Sequence, residues 1–267
     1  MLQFEISIIL PAYQAASLLE QNLPRLKTYL DKLKLRYEII IVDDGSSERD
    51  RSKAVAEDFG CSFYALKKNQ GKGAAVRQGV EMAQGDYIFM TDADIPYELD
   101  CFERALWFLG AQNFHIVAGD RNLPASSYHS HVPVARTIVS SICGFIVGRF
   151  LATGWFDTQC GFKGFQAEVA KRLFGIGRIQ RFAFDVEILH LALKANYDIK
   201  KIPVRLYANS KSSISLVTEG LRFFRDLFLI RYYEFRHCYP TKNLVISNAN
   251  PSNWDVDKFR SVRKIYE

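Results

Sequence analysis

Three short, mainly apolar runs, each ending in proline or acids, constrain this chain most. Residues 6–10 run into Pro11, residues 38–42 into Asp43-Asp44-Gly45-Ser46-Ser47, and residues 87–90 into the acidic turn around Asp92-Ala93-Asp94. Continuous apolar runs of this length read as strands buried on both faces. Residues 62–66 and 115–118 read as two more short strands. Between them lie segments of helical period: 17–33, with Leu18, Leu19, Leu23, Leu26 and Leu30, then 73–83 and 97–109. Repeated strand–helix–strand units predict an α/β fold with a mostly parallel central sheet covered on both faces. In such sheets ligands bind beyond the carboxyl ends of the strands. The polar clusters 11–14, 43–47, 92–94 and 119–121 all fall at that edge.

The second half has a different texture. Residues 133–156 are apolar and rich in small side chains. Residues 182–195 read as an amphipathic helix, and 216–235 as an aromatic helix carrying Arg222, Arg225 and Arg231, with Arg236 just beyond. No repeat or low-complexity linker divides the chain. The expected organisation is one domain over 1–240, with two halves of different texture at about 1–120 and 121–240, and a polar tail at 241–267. A hydrophobic content of 48% and a charged content of 24% exclude a disordered chain. The net charge of +6 suits phosphates, anionic headgroups or nucleic acid without choosing among them. No basic stripe or recognised nucleic-acid motif supports the last, so no nucleic-acid partner is expected. Five cysteines, none in a C-x-x-C pair, argue against a disulfide framework or zinc site and for a reducing compartment. Residues 1–10 lack the features of a signal peptide. The uncharged stretch 137–148 is shorter than the roughly 20 residues a span needs. The expectation is therefore no transmembrane helix and a soluble or peripheral protein, cytoplasmic by its cysteine usage.

Several residues can carry chemistry. Asp92 and Asp94, two apart after a buried strand, can share one hard divalent cation, Mg2+ or Mn2+, that neutralises a diphosphate. The competing reading is a helix cap at Asp94 before Pro96. Asp43 and Asp44 offer carboxylates to a nucleotide, or simply shape a turn. Gly71-Lys72-Gly73 allows close backbone approach and adds a point charge for phosphate, although the Walker spacing is absent.

In this order the pieces resemble the family-2 glycosyltransferases of GT-A fold, and within them the dolichyl- and polyprenyl-phosphate glycosyltransferases. The residues that carry the resemblance are Ile8 to Tyr13, Ile41 to Ser46, Asn69 with Gly71 to Arg77, Gly85-Asp86 and Asp92-Ala93-Asp94. Asp157-Thr158-Gln159-Cys160-Gly161-Phe162-Lys163 and Phe182 to Glu187 resemble the dolichyl-phosphate β-glucosyltransferase branch. The resemblance implies that Pro11, Tyr13 and Asp43 border the base and ribose. It places Asp44, Lys72 and Lys211 near the nucleotide and its phosphates. Asp92 and Asp94 would handle the diphosphate and the metal, and Arg121, Arg136 and Ser140 the acceptor phosphate. Three positions depart from the pattern: Gln14-Ala15 replaces the usual Asn-Glu, and Asp120 replaces a common serine. The membrane anchor of many relatives is not found in the sequence.

The implied reaction is inverting transfer of a hexose, glucose from UDP-glucose, to a polyprenyl or dolichyl phosphate. A phosphate monoester is largely ionised at neutral pH, with a second pKa of about 6, and needs little help from a base. Catalysis then falls to Asp92, Asp94 and Arg121, with Asp157 and Asp185 as candidates for a base or a sugar contact. Lys163 would pair with Asp157 or touch the donor. Arg205 and Lys211 would lie on a basic loop closing over the diphosphate. Residues 138–150 and the helix 216–235 would face the lipid. The alternatives are mannose from GDP-mannose, a soluble acceptor, or a non-catalytic nucleotide-sugar binder.

Overall fold

A computed structural model describes residues 4–128, 148, 157–207 and 216–240. The first half alternates β1 (Ile6–Ala12), α1 (Ala16–Lys32), β2 (Tyr37–Asp43), α2 (Arg49–Asp58), β3 (Ser62–Ala65), α3 (Lys72–Met82), β4 (Tyr87–Met90) and α4 (Asp100–Leu106). A single π-helical turn, Trp107–Ala111, extends α4, and β5 (Ile116–Asp120) and β6 (Ser127–Tyr128) follow. After residue 157 come β7 (Lys163–Gln166), α5 (Ala167–Ile176), α6 (Phe184–Lys194), β8 (Ile199–Pro203), β9 (Arg205–Leu206) and α7 (Leu216–Phe235).

Seven strands form one sheet in the order β3-β2-β1-β4-β7-β5-β8, and β6 pairs with β9 apart from it. All neighbours in the large sheet are parallel except β7, which runs antiparallel between β4 and β5. The β1 side chains divide between two cores. Ile6, Ile8 and Leu10 pack on the side that holds Leu19, Leu23, Leu26 and Leu30 of α1 and Phe102 of α4. Ile9 packs on the other side with Val76 and Val80 of α3, Leu173 of α5, Leu191 of α6 and Leu227 of α7. Each fully buried leucine of α1 contributes about 2 kcal/mol of transfer free energy.

Some boundaries differ from expectation. Pro11 does not end β1, which continues to Ala12 in register with Val42 and Asp43. Asp44 N–H donates to the Ala12 carbonyl and Thr91 N–H to the Ile9 carbonyl, so alternate β1 residues turn to β2 and β4. Pro11 falls on the β4 side, beyond Met90, where no ladder bond needs its missing N–H. Tyr97 stands outside α4 and bridges Leu206. α6 is not amphipathic: every residue from Phe184 to Ala192 is buried, because α3 and α5 flank the helix and the α7 side chains share its core. β7 was not anticipated as a strand. Its four residues show no alternation, since both faces are covered.

Candidate active site

The parallel strands β2, β1, β4 and β5 end at one edge, and antiparallel β7 begins there. Lys163, its first residue, pairs with Met90 on one side and Ala118 on the other. The segment from Asp157 to Lys163 is therefore delivered beside the acidic turn after β4 and Arg121 after β5.

Two turns frame the nucleotide side. Asp43 is fully buried, and its carboxylate accepts the Ser46 amide at 2.8 Å and the Ser46 hydroxyl. Gly45 closes this turn at φ +70°, where a Cβ would strike the Lys68 backbone at 2.4 Å. Ser46 Oγ also accepts the Gln14 amide, and Ser47 Oγ donates to Gln14 Oε1, which ties the end of β1 to the end of β2. Tyr13 is left about half exposed beside this seam. Asp44 accepts the Gln70 and Gly71 amides at 2.7 and 2.8 Å and so shapes the turn that carries Lys72. Burial pushes the Asp44 carboxyl above its ordinary pKa despite those two amides and nearby Arg181.

Lys72 places its Nζ 2.5 Å from Asp92 Oδ1. Burial opposes both charges, and their mutual attraction outweighs it. The Asp92 carboxyl, held first by Lys72 and then by Lys163 and Arg121, lies below the ordinary carboxylate range. Lys72, held by Asp92, Asp185 and Asp94, lies above the ordinary lysine value. The turn itself is strained. Ile95, β-branched, sits at φ +40°, donates its N–H to the Asp92 carbonyl and accepts Arg25 Nη2 at 2.5 Å.

Arg121 grips Asp157 through Nε and Nη2, at 3.0 and 2.6 Å, and its own amide donates to Asp157 Oδ2 at 2.6 Å. Burial opposes the guanidinium charge, and Asp157 overrides it, raising the arginine pKa. Asp157 is thus a partner of Arg121. Lys163 does not pair with Asp157: its Nζ binds Asp185 at 2.6 Å and the Cys160 carbonyl at 2.7 Å, with 1% of the side chain exposed. β7 aims Lys163 at the start of α6, where Asp185 sits. Arg205 lies in β9, outside any loop, and pairs with Glu98 at 3.2 Å. Arg136, Ser140 and Lys211, with the apolar segment 138–150 save Gly148, lie outside the described residues.

Gly161, which sequence reasoning left without a role, presses on Asp92, and Tyr97 holds it there. A Cβ at Gly161 would fall 2.1 Å from Asp92 Oδ2, and the Gly161 amide donates to the buried Tyr97 hydroxyl at 2.9 Å. The only signal in the sequence was the place of Gly161 inside the Asp157–Lys163 motif. Since the obstructing atom is the tip of a side chain, Gly161→Ala should displace the carboxylate and spare the fold. The expected result is a roughly 10- to 100-fold loss of transfer rate with little change in melting temperature. Paired activity and thermal-melt measurements check it, and an unimpaired rate would show that Asp92 tolerates the shift.

The donor set fits a hard divalent cation. Among the described residues, no group of three or more His, Cys, Asp or Glu could hold a metal alone. Asp92 and Asp94 supply two carboxylates from one turn, the number Mg2+ uses when diphosphate oxygens and water complete its shell. The Lys72 ammonium on Asp92 marks this carboxylate as a place where positive charge is held.

The model of Glycosyl transferase family 2 matches residues 7–174. A dolichyl-phosphate beta-glucosyltransferase of Dictyostelium discoideum is 33% identical over 242 residues, which cover 85% of this chain and 74% of that protein. The Homo sapiens protein of the same name is 31% identical, with coverage of 85% and 75%. Among solved structures, glucosyl-3-phosphoglycerate synthase from Mycobacterium tuberculosis, in complex with Mn2+, UDP and glucosyl-3-phosphoglycerate, superposes with a TM-score of 0.62. It is 15% identical, over 85% of this chain and 78% of that one. Mannosyl-3-phosphoglycerate synthase from Rubrobacter xylanophilus gives a TM-score of 0.58 at 14% identity, over 95% and 80%. These two share the GT-A fold. With the family model covering more than half of its length, and relatives above 30% identity spanning most of it, the chain belongs to Glycosyl transferase family 2 and is a glycosyltransferase.

Proposed function

We propose that this enzyme transfers glucose from UDP-glucose to a dolichyl or polyprenyl phosphate. The observation that carries the reading is the meeting, at one sheet edge, of the Asp92–Asp94 turn with the Arg121–Asp157 pair. One handles a donor diphosphate, the other an acceptor phosphate. The named activity of the similar proteins supports the same donor sugar and acceptor.

Tyr13, Pro11 and Asp43 border the base and ribose, and Asp44 sets the Lys72 turn against the phosphates. Asp92 and Asp94 would hold Mg2+ or Mn2+, which supplies neutralising charge to the departing diphosphate when bound. Arg121, kept rigid by Asp157, presents its guanidinium to the acceptor phosphate, with Arg136 and Ser140 as further acceptor contacts. An ionised phosphate oxygen attacks the anomeric carbon from the face opposite the leaving group, so the anomeric configuration inverts. The chain has to position two anions against each other and screen their repulsion, and no strong base is required.

A peripheral place at a membrane is part of this proposal. Among the described residues, no helix is long and apolar enough to cross a bilayer. α7 exposes Leu221, Phe228, Tyr232 and Phe235, which share one helical face. Such a face suits the headgroup zone.

The test is transfer of radiolabelled glucose from UDP-glucose to a short polyprenyl phosphate, with Mn2+ or Mg2+ and with EDTA. An organic-soluble product that EDTA abolishes is expected. A product from GDP-mannose alone would replace the donor. Failure of every lipid phosphate would end the acceptor assignment.

A further inference from the structure

Among the described residues, three cations at the acidic edge are already matched with carboxylates: Lys72 with Asp92, Lys163 with Asp185 and Arg121 with Asp157. A fourth stands nearby. Arg181 lies in the connection between α5 and α6, and its side chain rests on Gly71. A Cβ at Gly71 would fall 2.8 Å from Arg181 Cγ and 3.0 Å from its Cα, and Gly71 adopts φ +110°. Only glycine permits this approach. Among the described residues, Arg181 has no carboxylate partner in an ion pair, and no acceptor takes a hydrogen bond from its side chain. Its charge bears on Asp44, which accepts the Gly71 amide.

The backbone that carries Arg181 is firmly held. The buried Glu187 carboxylate accepts the Arg178 amide at 2.8 Å, the Ile179 amide at 2.9 Å and the Tyr239 hydroxyl at 2.6 Å. The Gln180 carbonyl accepts the Ala74 amide at 2.9 Å, and the Arg181 carbonyl accepts the Phe184 amide at 3.2 Å. A half-buried arginine whose stem packs on the Lys72 turn, and whose guanidinium has no partner among the described residues, is an anion site in waiting.

We propose that Arg181 is a donor-binding residue, its guanidinium taking phosphate oxygen of the nucleotide sugar across the Gly71 turn from Lys72. The assignment deepens the donor reading above and rests on it. Calorimetry with UDP in the presence of Mn2+, on the wild type, Arg181→Ala and Arg181→Lys, tests it. Uridine, followed by saturation-transfer NMR, serves as the ligand without phosphate. Arg181→Ala should weaken UDP about tenfold, leave uridine unchanged, and melt close to the wild type. Arg181→Lys should recover part of the loss, since it restores a point charge without the fork. Equal losses for UDP and uridine would mean that the residue supports the base or the fold, and unchanged UDP affinity would mean that it touches no phosphate. Either result overturns the proposal. A wild type that binds neither UDP nor GDP would instead defeat the donor reading, and Arg181 would lose its ligand with it.

Discussion

Asp94→Ala should reduce sugar transfer by at least about a thousandfold while leaving the melting temperature within a few degrees of wild type. Asp94 shares the turn after β4 with Asp92 and is half-buried at the ligand edge. Without it, the divalent cation proposed for this turn would keep one protein carboxylate, and that carboxylate is also bound by Lys72. Two bonds fix the turn without the Asp94 side chain: the Ile95 amide to the Asp92 carbonyl, and Arg25 to the Ile95 carbonyl. The fold should therefore survive the substitution. Transfer assays, thermal melts and Mn2+ titration by electron paramagnetic resonance check the three parts separately. A normal rate would remove the metal role of this turn, and a collapsed melt would assign Asp94 a structural one.

Lys163→Met should cost about 3–5 kcal/mol of stability, because it strands the carboxylate of Asp185 inside the protein. Lys163 and Asp185 expose only 1% and 5% of their side chains, so solvent screens the pair weakly. For a chain of this size the loss lowers the melting temperature by on the order of 10 °C. The double variant Lys163→Met with Asp185→Leu removes both charges and should recover most of that stability. Transfer should stay at least about a hundredfold low in both variants, since Lys163 also bears on Asp92 and Asp185 on Lys72. Recovery of activity along with stability would make the pair purely structural.

Much of this was visible in the chain itself. The strand–helix alternation, the acids after β2 and β4 and the glycines around Lys72 are local signals, and each depends on a handful of neighbouring residues. They suffice for a mostly parallel sheet and for the edge at which a ligand binds. The similarity to family 2 could also be read there, from motifs in a fixed order.

What tertiary structure alone decided is the pairing. β7 inserts antiparallel between β4 and β5, and no periodicity in four residues buried on both faces announces it. That insertion brings Gly161 against Asp92, hands Asp157 to Arg121 and turns Lys163 to Asp185. A carboxylate in a sequence has no marked partner, because the choice among several cations is made by distances that arise only when strands far apart in the chain lie side by side. The same holds for Arg181, whose place on Gly71 depends on a connection more than one hundred residues downstream, held down by Glu187 and Tyr239. The sequence by itself determined the kind of sheet and the chemical types at its edge; the packed structure determined which charge meets which, because burial makes unmatched charges too costly to leave.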